Sequence, residues 1–467
     1  MRRRKKKKRL LKRIIIHGEQ LHQFLLKIDD KKILRSPHEL PLKRESDFIS
    51  FFNTYQHVIL TPIRFNSDAE NLEILLDTSG IYMVKSSTNI LWFSQEYEML
   101  SYLKKHITFE CYKIQQYIPW PTIENHLFDV KIILHRKKNS FTWKVTEKYV
   151  ETRNKILTID QVITCSNLKE IDIKQLLKDL DDRALQVVQS KDEFFLRHRS
   201  IGLNMRLNHN GEIWITQICS NPVKVKGNKK SMYQLFKTDP YLSLFIPETK
   251  EIENDTDLFS FLDQYQYVIL KPISGSLGKG IMKLEVDANH HYTIQHTNKI
   301  FRFMDKSELL LFLKKKMNAK PYILQQCIPL AKVKDSPFDL RVIVQQKAND
   351  CTWKVTGSYA KVAFDGYFTT NLAKKGKVMT VNQAVSNSNV KEKNLKALVK
   401  KIDDVALKVA QKLKGISPHH RIWGLDMGMD SNGMLWIIEA NSKPGMKGFK
   451  RLEDPSIYQT IQKYKNQ

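Results

Sequence analysis

The sequence predicts an α+β protein built from two tandem copies of one unit. Three observations predict it: a repeat held in one register, strand-like and helix-like apolar periods mixed within each copy, and a polar residue set found only in the second copy.

The repeat comes first. YQHVILTP at 55–62 matches YQYVILKP at 265–272, YKIQQYIP at 112–119 matches YILQQCIP at 322–329, and WKVT at 143–146 matches WKVT at 353–356. All three pairs are 210 residues apart. Near the end the offset grows to 222, where IGLNMRLNHNGEIWITQICSNP from Ile201 matches WGLDMGMDSNGMLWIIEANSKP from Trp423. Extra residues in the second copy, between about 360 and 420, account for the change. The expected organisation is a basic arm over 1–29, a first unit over 30–225 and a second over 226–467.

The arm is uninterrupted Lys and Arg from Arg2 to Arg9. Such a run repels itself and reads either as a solvated tail or as a contact to an anionic surface. The net charge of +28 also points to an acidic partner, with ATP, nucleic acid, anionic lipid and acidic polymers all in the class. No recognised nucleic-acid module accompanies the charge. No stretch approaches the 18 apolar residues of a bilayer span, and no small-residue cleavage site follows the arm, so the protein is expected to be soluble or peripheral. The cysteines number five with no CxxC pair, which argues against a disulfide framework or a zinc site and for a reducing cytosol, so a cytoplasmic protein is expected.

Within the second copy, 267–271 reads as a strand entering a glycine loop, and 305–317 as a helix with Asp305 and Glu308 spaced as a capping box. Strands follow at 322–326, 340–346 and 352–361. Positions 395, 398, 399, 402, 405, 406, 409 and 413 are apolar at helical spacing. A hairpin turns at Asp430 to Gly433, between strands 422–429 and 434–440.

Three polar groups carry chemistry. Lys271 ends a strand, and Gly275, Ser276, Gly278, Lys279 and Gly280 form the loop behind it. Glycines let backbone N–H groups approach phosphate, so the loop reads as a phosphate cradle or as a plain lysine-bearing hairpin. The spacing is not that of a P-loop. Asp426 faces Glu439 and Asn441 across the terminal hairpin, two carboxylates and an amide that suit magnesium beside phosphate; the bland alternative is an edge hairpin with exposed acids. Arg341 lies in an apolar strand and needs an anion, either phosphate or an acid such as Asp339. Asn371, in TNL, is a further catalytic candidate or a turn asparagine.

In this order, VILKPISGSLGKGI, YILQQCI, PFDLRVIV, WKVTG, TNL, GLDM and WIIEANSKPG resemble the ATP-grasp superfamily, and within it the YheC/YheD family of endospore-forming bacteria. The resemblance covers about 228–450 well and the first copy in outline. It implies two tandem ATP-grasp-like units, ATP and Mg2+ as cofactors, and activation of a carboxylate as acyl phosphate for attack by an amine or similar nucleophile. It implies that Lys271 contacts the phosphates, with Lys229 or Lys230 as a second lysine, and that Gly275 to Gly280 form a lid. Gln326, Cys327 and Ile328 would meet the adenine through backbone. Arg341 would stabilise the transferred phosphoryl, and Asp426, Glu439 and Asn441 would hold magnesium. Gln326 stands where many ATP-grasp enzymes have Glu, and Ala360-Lys361 where this family often has Arg. The rival reading is a non-catalytic ATP-binding structural protein, spore-coat associated.

The first copy serves as an internal control. Lys271 is replaced by Thr61, Arg341 by Lys131, and Asp426, Glu439 and Asn441 by Asn204, Gln217 and Cys219, and the glycine loop by 64–69 and added residues. Trp143, Gly202, Gly211, Trp214 and Pro222 persist. Framework and site have separated, so the N-terminal unit is read as degenerate.

Overall fold

A computed structural model describes residues 14–28, 34–63, 70–138, 140–152, 155–166, 168, 171–189, 193–222, 224–275, 278–318, 320–348, 350, 352–370, 376–392 and 394–466. The expected glycine-loop replacement at 64–69, Ser276, Asn371 and the Arg2–Arg9 run lie outside them. Among the described residues, those up to 152 and from 159 to 222 form one compact unit, and 155–158 with 224–466 form another.

In the first unit, one sheet runs in the order Glu39–Pro41, Tyr112–Gln116, His57–Pro62, Leu72–Leu76, Tyr82–Lys85, Ile90–Phe93. Helices Glu45–Tyr55 and Glu96–His106 cover one face. The other sheet places Ile15–His17, Ile213–Ser220, Ser200–Leu207, Asp129–Arg136 and Trp143–Thr152 side by side. Residues 15–28 were expected in the arm. They instead form the strand Ile15–His17 and the helix Gly18–Ile28, which buries Leu21 and Leu25. The charged run hides a short amphipathic helix behind it, and that helix has apolar surface to bury.

The second unit repeats the plan. Its first sheet has the order Thr249–Glu251, Tyr322–Gln326, Tyr267–Pro272, Met282–Val286, Tyr292–His296, Lys299–Phe303. Helices Asp255–Tyr265 and Lys306–Met317 pack on it. Asn254 caps the first, its side chain accepting from the Asp257 N–H at 2.9 Å, and Asp305 caps the second, accepting from Ser307 and Glu308. Leu258, Leu262, Val268, Leu270, Leu309, Leu313 and Leu324 fill the core. Their counterparts 210 residues earlier, Phe48, Phe52, Val58, Leu60, Met99, Leu103 and Ile114, fill the first unit's core. Each such buried side chain contributes about 1.5–3 kcal/mol, which keeps these positions apolar in both copies.

The second sheet has the order Lys377–Met379, Lys354–Val362, Ser336–Gln345, Ile422–Met429, Leu435–Asn441. Helix Leu395–Ile416 buries Leu398, Ile402, Val405, Ala406, Val409 and Leu413 along one face, while Val399 at the edge of the apolar stripe stays exposed. The terminal hairpin turns where Asp430 Oδ1 accepts from the N–H groups of Asn432 and Met434, with Gly433 at φ 79°.

The change of offset has a defined place. Two residues, 153–154, separate strands Trp143–Thr152 and Lys155–Leu157, whereas fourteen, 363–376, separate Lys354–Val362 and Lys377–Met379. The first copy therefore has no counterpart of the segment that carries Thr370 and Asn371. Among the described residues no helix is long and apolar enough to cross a membrane.

The GL-M and -S-P motifs of both copies have one steric cause. A Cβ on Gly424 would lie 2.4 Å from Pro444 Cβ, and one on Gly202 would lie 2.7 Å from Pro222 Cβ. Strand and proline pack too closely for any side chain. Gly424→Ala and Gly202→Ala should each destabilise their own unit by about 1–3 kcal/mol, read as a lower midpoint in urea unfolding.

Candidate functional site

The strand Ser336–Gln345 lies in the middle of the second unit's five-stranded sheet, and its register sets the site. Arg341 stands opposite Tyr359 on one side and Asp426 on the other, and Asp339 stands opposite Lys361 and Gly428. Arg341 Nε is 2.8 Å from Asp426 Oδ1, and Arg341 Nη2 donates to Asp426 Oδ2 at 3.2 Å. Lys361 Nζ donates to Asp426 Oδ1 at 2.8 Å and sits 3.0 Å from Asp339 Oδ1. Thr370 Oγ1 donates to Asp339 Oδ2. Of the two partners open to Arg341 in the sequence, the structure shows an acid, and that acid is Asp426.

Buried charge of this kind survives only when paired. Burial pushes the Asp426 carboxyl up, but Lys361 and Arg341 outweigh it and hold it below the usual carboxylate range. Burial, with the like charge of Asp426 behind it, pushes the Asp339 carboxyl up. Burial works against the Lys361 charge, yet Asp339 and Asp426 hold its ammonium above the ordinary lysine range.

The hairpin adds the remaining carboxylate and the amide. Asp426 is the direct cross-strand partner of Glu439, and Gly424 that of Asn441, with a bulge after Asp426. Asn441 Nδ2 donates to Asp426 Oδ2 at 3.4 Å. Glu439 Oε1 lies 3.6 Å from Lys229 Nζ.

The opposite wall comes from the first sheet. Lys271 is buried, and its Nζ donates to Gln325 Oε1, while Gln325 Nε2 donates to Thr249 Oγ1 at 2.9 Å. Burial pushes the Lys271 ammonium down to about 8, against the pull of Glu439. Cross-strand pairing puts Gln325 opposite Ile269 and Gln326 opposite the core residue Val268. Gln326 therefore turns from the face that carries Lys271, and its Oε1 accepts from the Glu248 N–H at 3.4 Å. Cys327 donates its N–H to Tyr267 O, burial holds its thiol up, and Ile328 follows it, half-buried.

Helix Lys229–Lys237 brings in Lys229, whose Nζ also donates to Gly275 O at 3.1 Å. Lys230 points elsewhere and pairs with Glu251. One residue along a helix rotates a side chain by about 100°, so only one of the two lysines can face the site. The glycine loop returns at Gly278 and Gly280, both at positive φ, and Tyr322 OH donates to Gly280 O at 3.1 Å. Lys279 is exposed on it. A cleft whose lining includes Asn228, Lys229, Tyr233, Lys271, Gln325 and Glu439 brings these six residues together.

Sequence reading missed Gln325, whose face is set by its cross-strand pairing with Ile269, and Lys361, whose partners are remote in the chain. Four cations, Lys229, Lys271, Arg341 and Lys361, face three carboxylates, Asp339, Asp426 and Glu439. The surplus suits a polyanion. Among the described residues no three His, Cys, Asp or Glu groups form a ready-made metal cage. Two carboxylates and an amide oxygen on paired strands do fit magnesium, which is commonly held by one or two carboxylates together with substrate phosphates.

In the first unit the corresponding positions satisfy one another. Lys131 Nζ lies 3.1 Å from Glu151 Oε2 and 3.7 Å from Asp129 Oδ2. Asn204 Nδ2 donates to Gln217 Oε1 at 3.0 Å. Strand Ile15–His17 pairs along Gln217 and Cys219.

Comparison with known proteins agrees with this duplication. A family described as YheC/D like ATP-grasp matches twice, over residues 20–227 and 224–466. The endospore coat-associated protein YheD of Bacillus subtilis (strain 168) is 31% identical over 229 residues, 48% of this chain and 49% of the relative. The endospore coat-associated protein YheC of the same organism is 24% identical over 212 residues, 44% of this chain and 57% of the relative. The chain thus spans about half the length of the curated relatives it matches. Among solved structures, an ADP complex of N5-carboxyaminoimidazole ribonucleotide synthetase aligns at TM-score 0.33 and 15% identity, covering 52% of each chain. The ATP-grasp ligase PsnB with minimal precursor, Mg and ADP aligns at TM-score 0.31 and 15% identity, covering 51% of this chain and 59% of the other.

Lys271 supplies a pH test. Its ammonium is held at about 8, below the ordinary 10.5, so between these values the unfolded chain binds more protons and this group's contribution to stability rises with pH. An anionic ligand prefers the protonated form. Affinity for inorganic triphosphate should fall above about pH 8, by up to about ten-fold per pH unit, and calorimetry should show that fall lost in Lys271→Met.

Proposed function

Since the chain belongs to the YheC/D-like ATP-grasp family, we propose that its second unit binds MgATP and uses it to activate a carboxylate as acyl phosphate for attack by an amine or similar nucleophile. The observation that carries this reading is the convergence of Lys229, Lys271, Arg341 and Lys361 on Asp339, Asp426 and Glu439 in one copy, at positions where the other copy is neutral, reversed or self-paired. Packing alone would have kept both copies alike, as the matched cores are.

In this reading Lys271 and Lys229 face the phosphates, with Gln325 holding Lys271 in place. Gly275, Gly278 and Gly280 let the loop backbone close over them, and Lys279 adds charge at its rim. Lys230 has no part, being paired with Glu251. Cys327 and Ile328, after the strand that Gln326 ends, border the base. Asp426, Glu439 and Asn441 would hold magnesium, which supplies charge neutralisation of the phosphates. Arg341, fixed by Asp426, stabilises the charge that develops on the transferred phosphoryl, a task of positioning and electrostatics rather than covalent help. Asn371 is a further catalytic candidate.

A second reading keeps the nucleotide and drops the chemistry: an ATP-binding structural protein, cytoplasmic or associated with a spore coat, whose basic arm meets an anionic surface. The self-satisfied first unit and the likeness to the two endospore coat-associated Bacillus relatives favour it.

Thermal unfolding with MgATP separates these readings. At a hundred dissociation constants of ligand, the wild type should gain about 2.7 kcal/mol, or about 5–10 °C for a unit of this size. Lys271→Ala and Asp426→Asn should lose most of that shift. An unshifted wild type at millimolar MgATP sinks the nucleotide assignment, and a shift without ADP release across a broad panel of acids and amines selects the structural reading.

A further inference from the structure

The buried ladder Asp339–Lys361–Asp426–Arg341 contains one more cation than the family resemblance gives a task to. Lys361 comes from the strand Lys354–Val362, on the far side of Ser336–Gln345 from Asp426, and its side chain is 9% exposed. Its Nζ reaches both aspartates, at 3.0 Å and 2.8 Å, and so sits where a small cation bridging the two carboxylates would sit. With Arg341 on the other edge of Asp426, both oxygens of that carboxylate are already engaged by protein cations. A bare divalent ion at Asp426 meets a carboxylate whose charge is already compensated, and it has to compete for those oxygens with a guanidinium and with an ammonium whose stem is packed in the sheet.

The first copy provides the matching control. Where Asp426 is replaced by Asn204, Lys361 is replaced by Glu151, while Asp339 is kept as Asp129. Asp129 is there served by Arg206 Nε at 2.8 Å and by Lys131. The lysine and the carboxylate it serves are thus lost together, within one chain and one fold. A lysine kept only to neutralise the aspartate of the central strand would have stayed with Asp129.

We propose that Lys361 is a positioning residue, the resident cation of the site, which holds Asp426 neutralised until nucleotide arrives and so makes divalent-ion binding depend on the nucleotide. The inference rests on the reading of Asp426 as a metal ligand. Phosphate oxygens bring the additional ligands and negative charge that let the ion compete with Lys361 for Asp426. By reciprocity the ion then strengthens nucleotide binding by the same factor.

The test is calorimetric titration of Mn2+ into the full chain, with and without a non-hydrolysable ATP analogue. Wild type should bind Mn2+ at least about ten-fold more weakly without the nucleotide than with it. Lys361→Ala should gain Mn2+ binding by itself, bringing the ratio towards one, and Lys361→Arg should keep the wild-type ratio. A wild type that binds Mn2+ equally well in both conditions overturns the proposal, as does a folded Lys361→Ala whose ratio is unchanged. Should Lys361→Ala not fold, the double variant Lys361→Ala/Asp339→Asn, which leaves Arg341 as the cation paired with Asp426, is titrated in the same way and judged by the same two outcomes. A wild type that binds no nucleotide at all removes the MgATP reading instead; gain or no gain of bare Mn2+ binding in Lys361→Ala then decides the role of Lys361 by itself.

Discussion

Four charged side chains on three neighbouring strands meet at the centre of the second sheet: Asp339 and half-buried Arg341 on one, and Lys361 and Asp426, buried like Asp339, on the strands beside it. The rest of the unit has to respect that arrangement. Removing one partner leaves an uncompensated buried charge, at a cost of about 3–5 kcal/mol. A slip of one residue in either pairing would turn the side chains of one strand to the other face. The bulge after Asp426, the close approach of Gly424 to Pro444, and Arg341 Nη1 lying 3.2 Å from where a Gly424 side chain would begin all belong to this register.

The two copies show which parts of the fold answer to packing and which to charge. Their first sheets share helices, cores and strand order, with matched residues 210 apart. Their second sheets share the central pairings but not the electrostatics. In one, cations and carboxylates are assembled with cationic surplus; in the other, Lys131 is absorbed by Glu151 and Asn204 by Gln217. A set of groups that satisfies itself has little reason to take up a ligand, whereas an assembled surplus of one sign does. The fourteen-residue segment at 363–376, against two residues in the first copy, adds Thr370 to the charged cluster through Asp339.

How much of the site was legible depended on how far apart its partners lie in the chain. Asp426, Glu439 and Asn441 belong to a single hairpin with an Asp-Ser-Asn-Gly turn, and alternation places them on one face, as the register does. Lys271 was legible as a lysine closing an apolar strand. The choice between Gln325 and Gln326 was not, because it depends on which face of Tyr322–Gln326 meets the helices, a matter settled by pairing with Val268 and Ile269. The choice between Lys229 and Lys230 depends on the rotation of a helix about its axis. The beginning of the first unit was hidden by composition, since the helix Gly18–Ile28 is short and buries only Leu21 and Leu25, a weak apolar period directly after a run of Arg and Lys.

The sequence by itself determined the duplication, the α+β character of each copy and the inequality of the two sites, because repeats, apolar periods and turn residues act over a few positions at a time. Tertiary structure alone decided that Arg341 and Lys361 share Asp426, 85 and 65 residues away, and that Lys361 also reaches Asp339. Those contacts depend on which strands lie side by side and in what register. The register in turn follows from burial of the whole sheet against its helices, which no local stretch of sequence records.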